Sequence, residues 1–203
     1  MKIGVLALQG AFIEHQQILN SLKIESIDIR LPKDLQLIDG LIIPGGESTT
    51  IGKLSKEYNF LEPLKQFSKI KPVWGTCAGM IFIAKQIDSI TQVSLELMDI
   101  TVKRNAFGRQ VDSFITNLDI PALNKYSKSP FQAIFIRAPM VIDFGPSVEV
   151  LSRLPDGSIV AVKEKKWLAT SFHPELTDDV RFHKFFIDMI FQNMNDHSNY
   201  IER

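Results

Sequence analysis

The chain has 203 residues, which is long enough for one α/β domain with a sizeable core and short for two. Its 23 Lys and Arg residues balance its 23 Asp and Glu residues, so the basic excess typical of nucleic-acid-binding proteins is absent. No apolar segment approaches the roughly 20 residues that span a membrane, and the apolar start is too short for a signal peptide. One cysteine cannot form an internal disulfide, so we expect a single cytoplasmic domain over residues 1–203.

The first half of the sequence alternates predicted strands and helices. Short apolar runs that end at glycine or proline predict buried strands, and runs with apolar residues on one face predict helices. The predicted strands are residues 3–8, 24–29, 41–43 and 73–74, and the predicted helices are residues 11–22, 61–67 and 78–87. This alternation indicates a parallel sheet covered by helices on both faces.

The second half of the sequence is richer in strands. The predicted strands are residues 98–103, 111–116, 131–137, 148–151, 158–162 and 167–172. Few helices separate them, so we expect antiparallel additions to the sheet. A last helix is predicted for residues 178–194, and the polar composition of the tail 195–203 favours disorder.

The strongest local pattern is Gly75-Thr76-Cys77-Ala78-Gly79, which lies between a predicted buried strand and an apolar helix. This is the arrangement of a nucleophile elbow, with cysteine in place of serine. The tight turn strains the backbone of the nucleophile, and the flanking glycines let neighbouring backbone approach. The start of a helix next to the thiol favours its thiolate form. Cys77 is therefore a candidate nucleophile, although a buried structural cysteine fits the same short pattern.

A second pattern, His173-Pro174-Glu175, follows the last predicted strand. In extended backbone, residues two apart point the same way, so the carboxylate can hydrogen-bond one imidazole nitrogen while the other faces a nucleophile. The alternative is an ordinary polar loop after a strand. The other three histidines fit surface or helix positions and receive no role: His15, His183 and His197.

A third pattern is the double glycine in residues 44–50, which read Pro-Gly-Gly-Glu-Ser-Thr-Thr after a buried strand. Backbone N–H groups exposed at such a turn suit an oxyanion. The alternative is a tight turn with Ser48 or Thr49 as the N-cap of a helix. A phosphate-binding loop does not fit, because the Lys-Ser/Thr ending of the Walker pattern is missing.

Together these three patterns resemble the triad-type class I glutamine amidotransferases. Further segments narrow the resemblance to the glutaminase subunits of pyridoxal 5′-phosphate synthases, over nearly the whole chain. The segments that carry it are residues 4–10, 44–50, 104–110, 135–139 and 171–175. Five separated motifs in one order make the resemblance specific. One departure is Glu96, at a position where the family tends to have glycine. The sequence therefore does not determine the shape of this loop.

The resemblance implies a fold and a chemistry. The fold is a three-layer, flavodoxin-like α/β fold with a mixed, mostly parallel central sheet. The chemistry is hydrolysis of L-glutamine to L-glutamate and ammonia through a thioester, by a triad of Cys77, His173 and Glu175. Backbone N–H groups near Gly46 and Ala78 would hold the oxyanion, and neither a metal nor a cofactor is expected.

The resemblance also implies how the substrate and a partner are bound. The substrate would be held by Gly46, Glu47, Ser48, Arg104, Ile136 and Arg137. The two arginines suit a carboxylate, although ordinary ion pairs are the alternative. The ammonia would pass to the synthase subunit of pyridoxal 5′-phosphate synthase, in a heteromeric complex that makes vitamin B6. Gln9 would organise the oxyanion loop when that partner docks.

Three alternatives remain open from the sequence. A glutaminase serving histidine, anthranilate or nucleotide biosynthesis would use the same triad, but residues 4–9 and 104–110 favour the vitamin B6 branch. An inactive regulatory or scaffolding homologue is disfavoured because all three triad residues are present. A cysteine peptidase or esterase would share the elbow, but Arg104 and Arg137 suit a free amino acid better.

Overall fold

The computed structural model describes residues 1–107 and 113–201. The helices are α1 (Phe12–Ser21), α2 (Ser48–Glu57), α3 (Leu61–Ile70), α4 (Ala78–Ile83) and α5 (Arg181–Ile201). The strands are β1 (Lys2–Leu6), β2 (Glu25–Ile29), β3 (Gly40–Ile43), β4 (Val73–Thr76), β5 (Ala84–Ile87), β6 (Met98–Lys103), β7 (Ser113–Leu118), β8 (Phe131–Ile136), β9 (Met140–Phe144), β10 (Glu149–Arg153), β11 (Ile159–Glu164) and β12 (Trp167–Thr170). Short 3₁₀ segments at Pro32–Leu37, Pro121–Leu123 and Pro174–Leu176 each begin with proline, whose fixed φ suits the first position of a helical turn.

Within these residues, ten strands form one mixed sheet. The strands β2-β1-β3-β4-β12 are parallel neighbours, in the flavodoxin-like order. Antiparallel pairing then adds β11, β9 and β6, while β10 pairs with β11 and β5 runs parallel to β6. The strands β7 and β8 form a separate antiparallel pair. The expected mixed, mostly parallel sheet with antiparallel additions in the second half is confirmed.

The central strands place alternate side chains on opposite faces of the sheet. On β3, Leu41 and Ile43 pack in the core beneath α2, α3 and α4, whereas Ile42 packs in the core that contains α1, α5 and the β7–β8 pair. All three side chains are fully buried, and each such burial contributes roughly 1.5–3 kcal/mol. The period of two therefore produces the expected three layers.

Several predicted element boundaries are wrong. The helix predicted for residues 78–87 ends at Ile83, because residues Ala84–Ile87 pair with β6 as β5. The strand β9 was not predicted, and α5 continues through the polar tail to Ile201. Residues 111–112 of one predicted strand lie outside the described residues. None of the helices in the described ranges combines the length and apolarity that a membrane crossing requires.

The loop before β6 keeps a glycine-type backbone at Glu96. Its φ of 54° lies in the left-handed region for which glycine is the ordinary residue. The N–H groups of Leu95 and Leu97 donate to the carbonyls of Phe82 and Ile83 at 2.7 and 3.0 Å, which fixes the residues on either side. The loop therefore makes a glycine-type turn without a glycine.

Candidate active site

Cys77 lies at a strained turn between β4 and α4. Its φ of 47° and ψ of −103° depart from ordinary helix and strand values. A Cβ added at Gly75 would lie 2.5 Å from the carbonyl of Gly79, and one added at Gly79 would lie 2.0 Å from the carbonyl oxygen of Ile43. Because both contacts are with backbone, no larger side chain fits beside the turn. The strain and the flanking glycines agree with the predicted elbow.

His173 is held by its own backbone and by Glu175. The His173 N–H donates to the carbonyl of Ile134 at 2.8 Å, and Nδ1 lies 2.7 Å from Oε1 of Glu175. The expected extended segment is wrong, because Pro174–Leu176 forms a 3₁₀ turn that brings the carboxylate back to the ring. Both side chains are buried, so their interaction is shielded from water.

The protonation of His173 reflects its two neighbours. Burial by itself lowers the pKa of His173, but hydrogen bonds to Cys77 and Glu175, and their negative charges, raise it to about 10. The ring is therefore an imidazolium at neutral pH. The site therefore places a charged imidazole beside the Cys77 side chain.

These side chains open into a cavity of about 320 Å³ at the carboxyl ends of β1, β3, β4 and β12. It is lined by Gln9, Gly46, Glu47, Ser48, Cys77, Ala78, Ile81, Arg104, Asn105, Ile136, Arg137 and His173. Every predicted site residue except Glu175 is among them, and Glu175 contacts His173. Sequence reasoning missed Ile81 and Asn105, although Asn105 lies in the motif 104–110. A larger groove of about 620 Å³ beside Lys163, Lys165 and α5 is lined by none of the predicted site residues.

The turn after β1 packs against the double glycine. The side-chain oxygen of Gln9 accepts a hydrogen bond from the N–H of Glu47 at 2.8 Å, and a Cβ added at Gly46 would lie 2.3 Å from that oxygen. Gly10, with φ of 103°, lets its backbone approach the carbonyl of Gly45. Gln9 is therefore in direct contact with the loop on which the oxyanion site was predicted.

Glu47 is the N-cap of α2, so the alternative of Ser48 or Thr49 in that position is wrong. Its carboxylate accepts hydrogen bonds from the N–H groups of Thr49 and Thr50 at 3.1 and 2.7 Å. Burial raises the pKa of Glu47, but these hydrogen bonds and those from the two threonine hydroxyls outweigh it and lower the pKa to about 2. Glu47 is consequently an anion at neutral pH.

The two candidate arginines differ in their partners. Arg104 donates to Oε1 of Glu47 at 3.3 Å and to Oε1 of Gln92 at 2.8 Å, and the hydroxyl of Ser48 reaches the same Gln92 oxygen at 3.4 Å. Arg137 is exposed, has φ of 41°, and takes part in none of the ion pairs found in the described ranges. Sequence reasoning missed Gln92, since a polar residue in a loop carries no local signal of its partners.

His15 and His183 lie on α1 and α5, so the expectation of helix positions is confirmed, but both are fully buried and neither is a surface residue. Nδ1 of His15 lies 2.9 Å from Nε2 of His183, and Nε2 of His15 lies 3.4 Å from Oε2 of Glu175. A signal of burial existed, because His15 has the helical spacing of the buried Leu19, and His183 that of Phe186. The side chain of His197 lies outside the described part of the chain.

The described residues contain no group of three or more His, Cys, Asp or Glu side chains that could hold a metal ion. The groups at this site are a thiol, an imidazolium, a carboxylate and backbone N–H groups. This set suits nucleophilic attack on a carbonyl carbon followed by protonation of the leaving group.

Comparisons with known proteins point to one family. The model of the SNO glutamine amidotransferase family matches residues 5–192. The chain is 54% identical over 193 residues to the pyridoxal 5′-phosphate synthase subunit PdxT of Herpetosiphon aurantiacus, covering 93% of this chain and 100% of the relative. It is 52% identical over 191 residues to the protein of that name from Carboxydothermus hydrogenoformans, covering 94% and 98%.

Solved structures agree with these relatives. A crystal structure of a glutamine amidotransferase is 44% identical in sequence, with a TM-score of 0.87 over 93% of this chain and 98% of that one. The crystal structure of a putative GMP synthase protein from Thermoplasma acidophilum has a TM-score of 0.72 over 98% of each chain. At 16% identity, the second comparison supports the fold alone.

Proposed function

Since the chain belongs to the SNO glutamine amidotransferase family, we propose that it hydrolyses L-glutamine and supplies the ammonia to the synthase subunit of pyridoxal 5′-phosphate synthase. The observation that carries this proposal is Cys77 in a strained turn, sharing a cavity with a His173 ring that also bonds Glu175. The curated relatives named as pyridoxal 5′-phosphate synthase subunits support the choice of pathway.

The first half-reaction forms a thioester. The Cys77 thiolate attacks the δ-carbon of glutamine, and the carbonyl oxygen becomes an oxyanion held by N–H groups of Gly46 and Ala78. When the C–N bond breaks, the imidazolium of His173 gives its proton to the leaving ammonia. Glu175 keeps the ring oriented and stabilises its charged form.

The second half-reaction releases glutamate. Neutral His173 now takes a proton from a water molecule, which attacks the thioester carbon. The C–S bond breaks, and the products are L-glutamate, the Cys77 thiolate and the His173 imidazolium. The new γ-carboxylic acid releases its proton to solvent, so the starting state of Cys77 and His173 is restored, and no atom changes its oxidation state.

Substrate binding uses the polar wall of the cavity. The Arg137 guanidinium has no ion pair in the described ranges and suits the α-carboxylate of glutamine. Glu47 is an anion at neutral pH and suits the α-ammonium group. Gly46, Ser48, Arg104 and Ile136 complete the pocket.

Delivery to a partner is part of this proposal. Ammonia released into water becomes mostly ammonium, which is not nucleophilic, so a direct route into a cytoplasmic synthase makes chemical sense. Gln9 contacts the oxyanion loop through the N–H of Glu47 and suits a role in coupling partner docking to turnover.

The test is ammonia release from glutamine by wild type and Cys77→Ala, with and without the synthase subunit of a relative. We expect faster turnover with the synthase, and a loss of more than roughly 10³-fold in Cys77→Ala. A glutamine-analogue chloroketone should label wild type and not Cys77→Ala. Wild-type turnover in Cys77→Ala would overturn the proposed chemistry, and equal rates with and without synthase would overturn the coupling.

A further inference from the structure

A row of buried polar side chains extends from Glu175 away from the cavity. Oε1 of Glu175 bonds His173, while Oε2 faces Nε2 of His15 at 3.4 Å and has no hydrogen bond of ordinary geometry in the described ranges. Beyond it, Nδ1 of His15 lies 2.9 Å from Nε2 of His183. The side chains of His15, His183 and Glu175 are fully excluded from solvent.

One tautomer assignment satisfies this row best. If His183 donates through Nε2–H to Nδ1 of His15, then His15 carries its proton on Nε2, which lies 3.4 Å from both the Thr76 hydroxyl and Oε2 of Glu175. The unpartnered Nδ1 of His183 is then only a lone pair. The reverse assignment buries an N–H of His183 without a partner and turns a lone pair toward the carboxylate, and both features are costly.

Both histidines of the row are neutral. Burial lowers the pKa of His15, and electrostatic interactions with the rings of His183 and His173 lower it further. Burial alone lowers the pKa of His183 to about 3. The Trp74 ring packs edge-on against both imidazoles, with centroids 5.6 and 5.0 Å away, and helps to exclude water. His15 therefore offers Glu175 a fixed neutral donor.

We propose that His15 is a positioning residue for the catalytic triad, holding one oxygen of Glu175 so that the other stays directed at His173. His183 fixes the tautomer that this role requires. The hydroxyl of Thr76 also lies 3.4 Å from Nε2 of His15, which links the row to the residue before Cys77. The inference rests on the proposed triad and adds to it a support on the buried side of the sheet.

The test compares three substitutions of His15. A glutamine amide nitrogen reaches the place of the imidazole Nε2 and can still donate to Glu175, whereas an asparagine amide ends near the place of Nδ1 and cannot. His15→Leu removes both groups. We expect kcat for glutamine hydrolysis, measured with the synthase subunit, to fall roughly 10- to 100-fold in His15→Leu and His15→Asn, with KM little changed. His15→Gln should retain most of kcat.

The His15→Gln and His15→Asn pair separates positioning from packing, because both variants place an amide in the same buried space. Equal kcat losses in Gln and Asn variants of the same melting temperature would overturn the proposal, and so would wild-type kcat in His15→Asn. If His15→Leu does not fold, the comparison of kcat between His15→Gln and His15→Asn is sufficient to test the proposal.

Cys77→Ala is assayed beside these variants to keep the two claims apart. An active Cys77→Ala overturns the triad itself. An inactive Cys77→Ala together with wild-type kcat in both His15→Asn and His15→Leu overturns only the role of His15.

Discussion

Buried histidines on the two sides of Glu175 have opposite protonation. On the cavity side, the pKa of His173 is raised to about 10, because hydrogen bonds and charges from Cys77 and Glu175 outweigh burial. On the far side, burial alone lowers the pKa of His183 to about 3. His15 also stays neutral, although it lies 3.4 Å from the same carboxylate.

The difference shows what determines the charge of a buried imidazole. Desolvation acts on all three rings and favours the neutral form. Only His173 has hydrogen bonds and charge interactions with both Cys77 and Glu175, and its own charge then disfavours a second cation at His15. The site therefore has one imidazolium next to Cys77, and neutral imidazoles on the far side of Glu175.

Glu175→Gln should have the largest effect on activity, because it removes the negative charge of the carboxylate that lies between His173 and His15. We expect kcat for glutamine hydrolysis to fall about 10⁴-fold, since an amide can turn over and hold His173 in the wrong tautomer. The assay is ammonia release in the presence of the synthase subunit. A loss smaller than about tenfold would show that His173 needs no carboxylate partner.

Arg137→Ala tests whether the exposed Arg137 side chain in the cavity binds the substrate. Losing a charged hydrogen bond to the substrate carboxylate should raise KM for glutamine roughly 10- to 100-fold, with a smaller change in kcat. The matched control is Arg153→Ala, because Arg153 is exposed on β10 and bonds the carbonyl of Gly157 away from the cavity. An unchanged KM in Arg137→Ala would remove Arg137 from the binding site.

His183→Gln tests whether burial keeps the His183 imidazole neutral. The quantity measured is the stability of the protein at acid pH. Because the pKa of His183 is lowered to about 3 in the folded protein, the unfolded chain binds a proton that the folded chain does not at pH values between about 6.5 and 3. Stability therefore falls as the pH falls through this window. Between pH 7 and pH 5, wild type should lose about 2 kcal/mol more of its unfolding free energy than the variant.

Urea titrations at the two pH values measure this difference. The glutamine side chain can still donate to His15, and the remaining histidines are common to both proteins. Equal losses in the two proteins would mean that His183 is not held neutral by burial.

The decline of activity at alkaline pH should follow the deprotonation of His173. Its raised pKa means that the imidazolium, and the stability that it contributes, are fully present below about pH 6.5 and are lost as the pH rises through about 10. We expect kcat/KM to fall about tenfold per pH unit above that value. In Glu175→Gln, the residual activity should decline from a lower pH. If kcat/KM declined at the same pH in both proteins, Glu175 would not stabilise the imidazolium.

The elements closest to the chemistry were predictable because their signals are local. The glycines beside Cys77 are required by backbone contacts of 2.0–2.5 Å, and such requirements leave a short, readable pattern. The alternation of Leu41, Ile42 and Ile43 between two cores is a property of strand geometry. Residues 173–175 were recognised as a unit, although their 3₁₀ turn was not predicted.

The features that were missed depend on contacts between distant segments. The strand β5 replaces the end of a predicted helix because β6 offers it a partner. Gln92 joins Arg104 and Ser48 from a loop that has no pattern of its own. His15 and His183 meet across 168 positions of sequence. Each case requires knowing which elements pack together.

The sequence by itself determined which groups are available for catalysis: one thiol, the His173–Glu175 pair and a double glycine after a buried strand. Only the tertiary structure decided which imidazole is charged and what supports the carboxylate from behind. The physical reason is that a pKa depends on burial and on charges a few ångströms away in space. Those neighbours come from α1, α5 and the turn after β12, which the fold alone brings together.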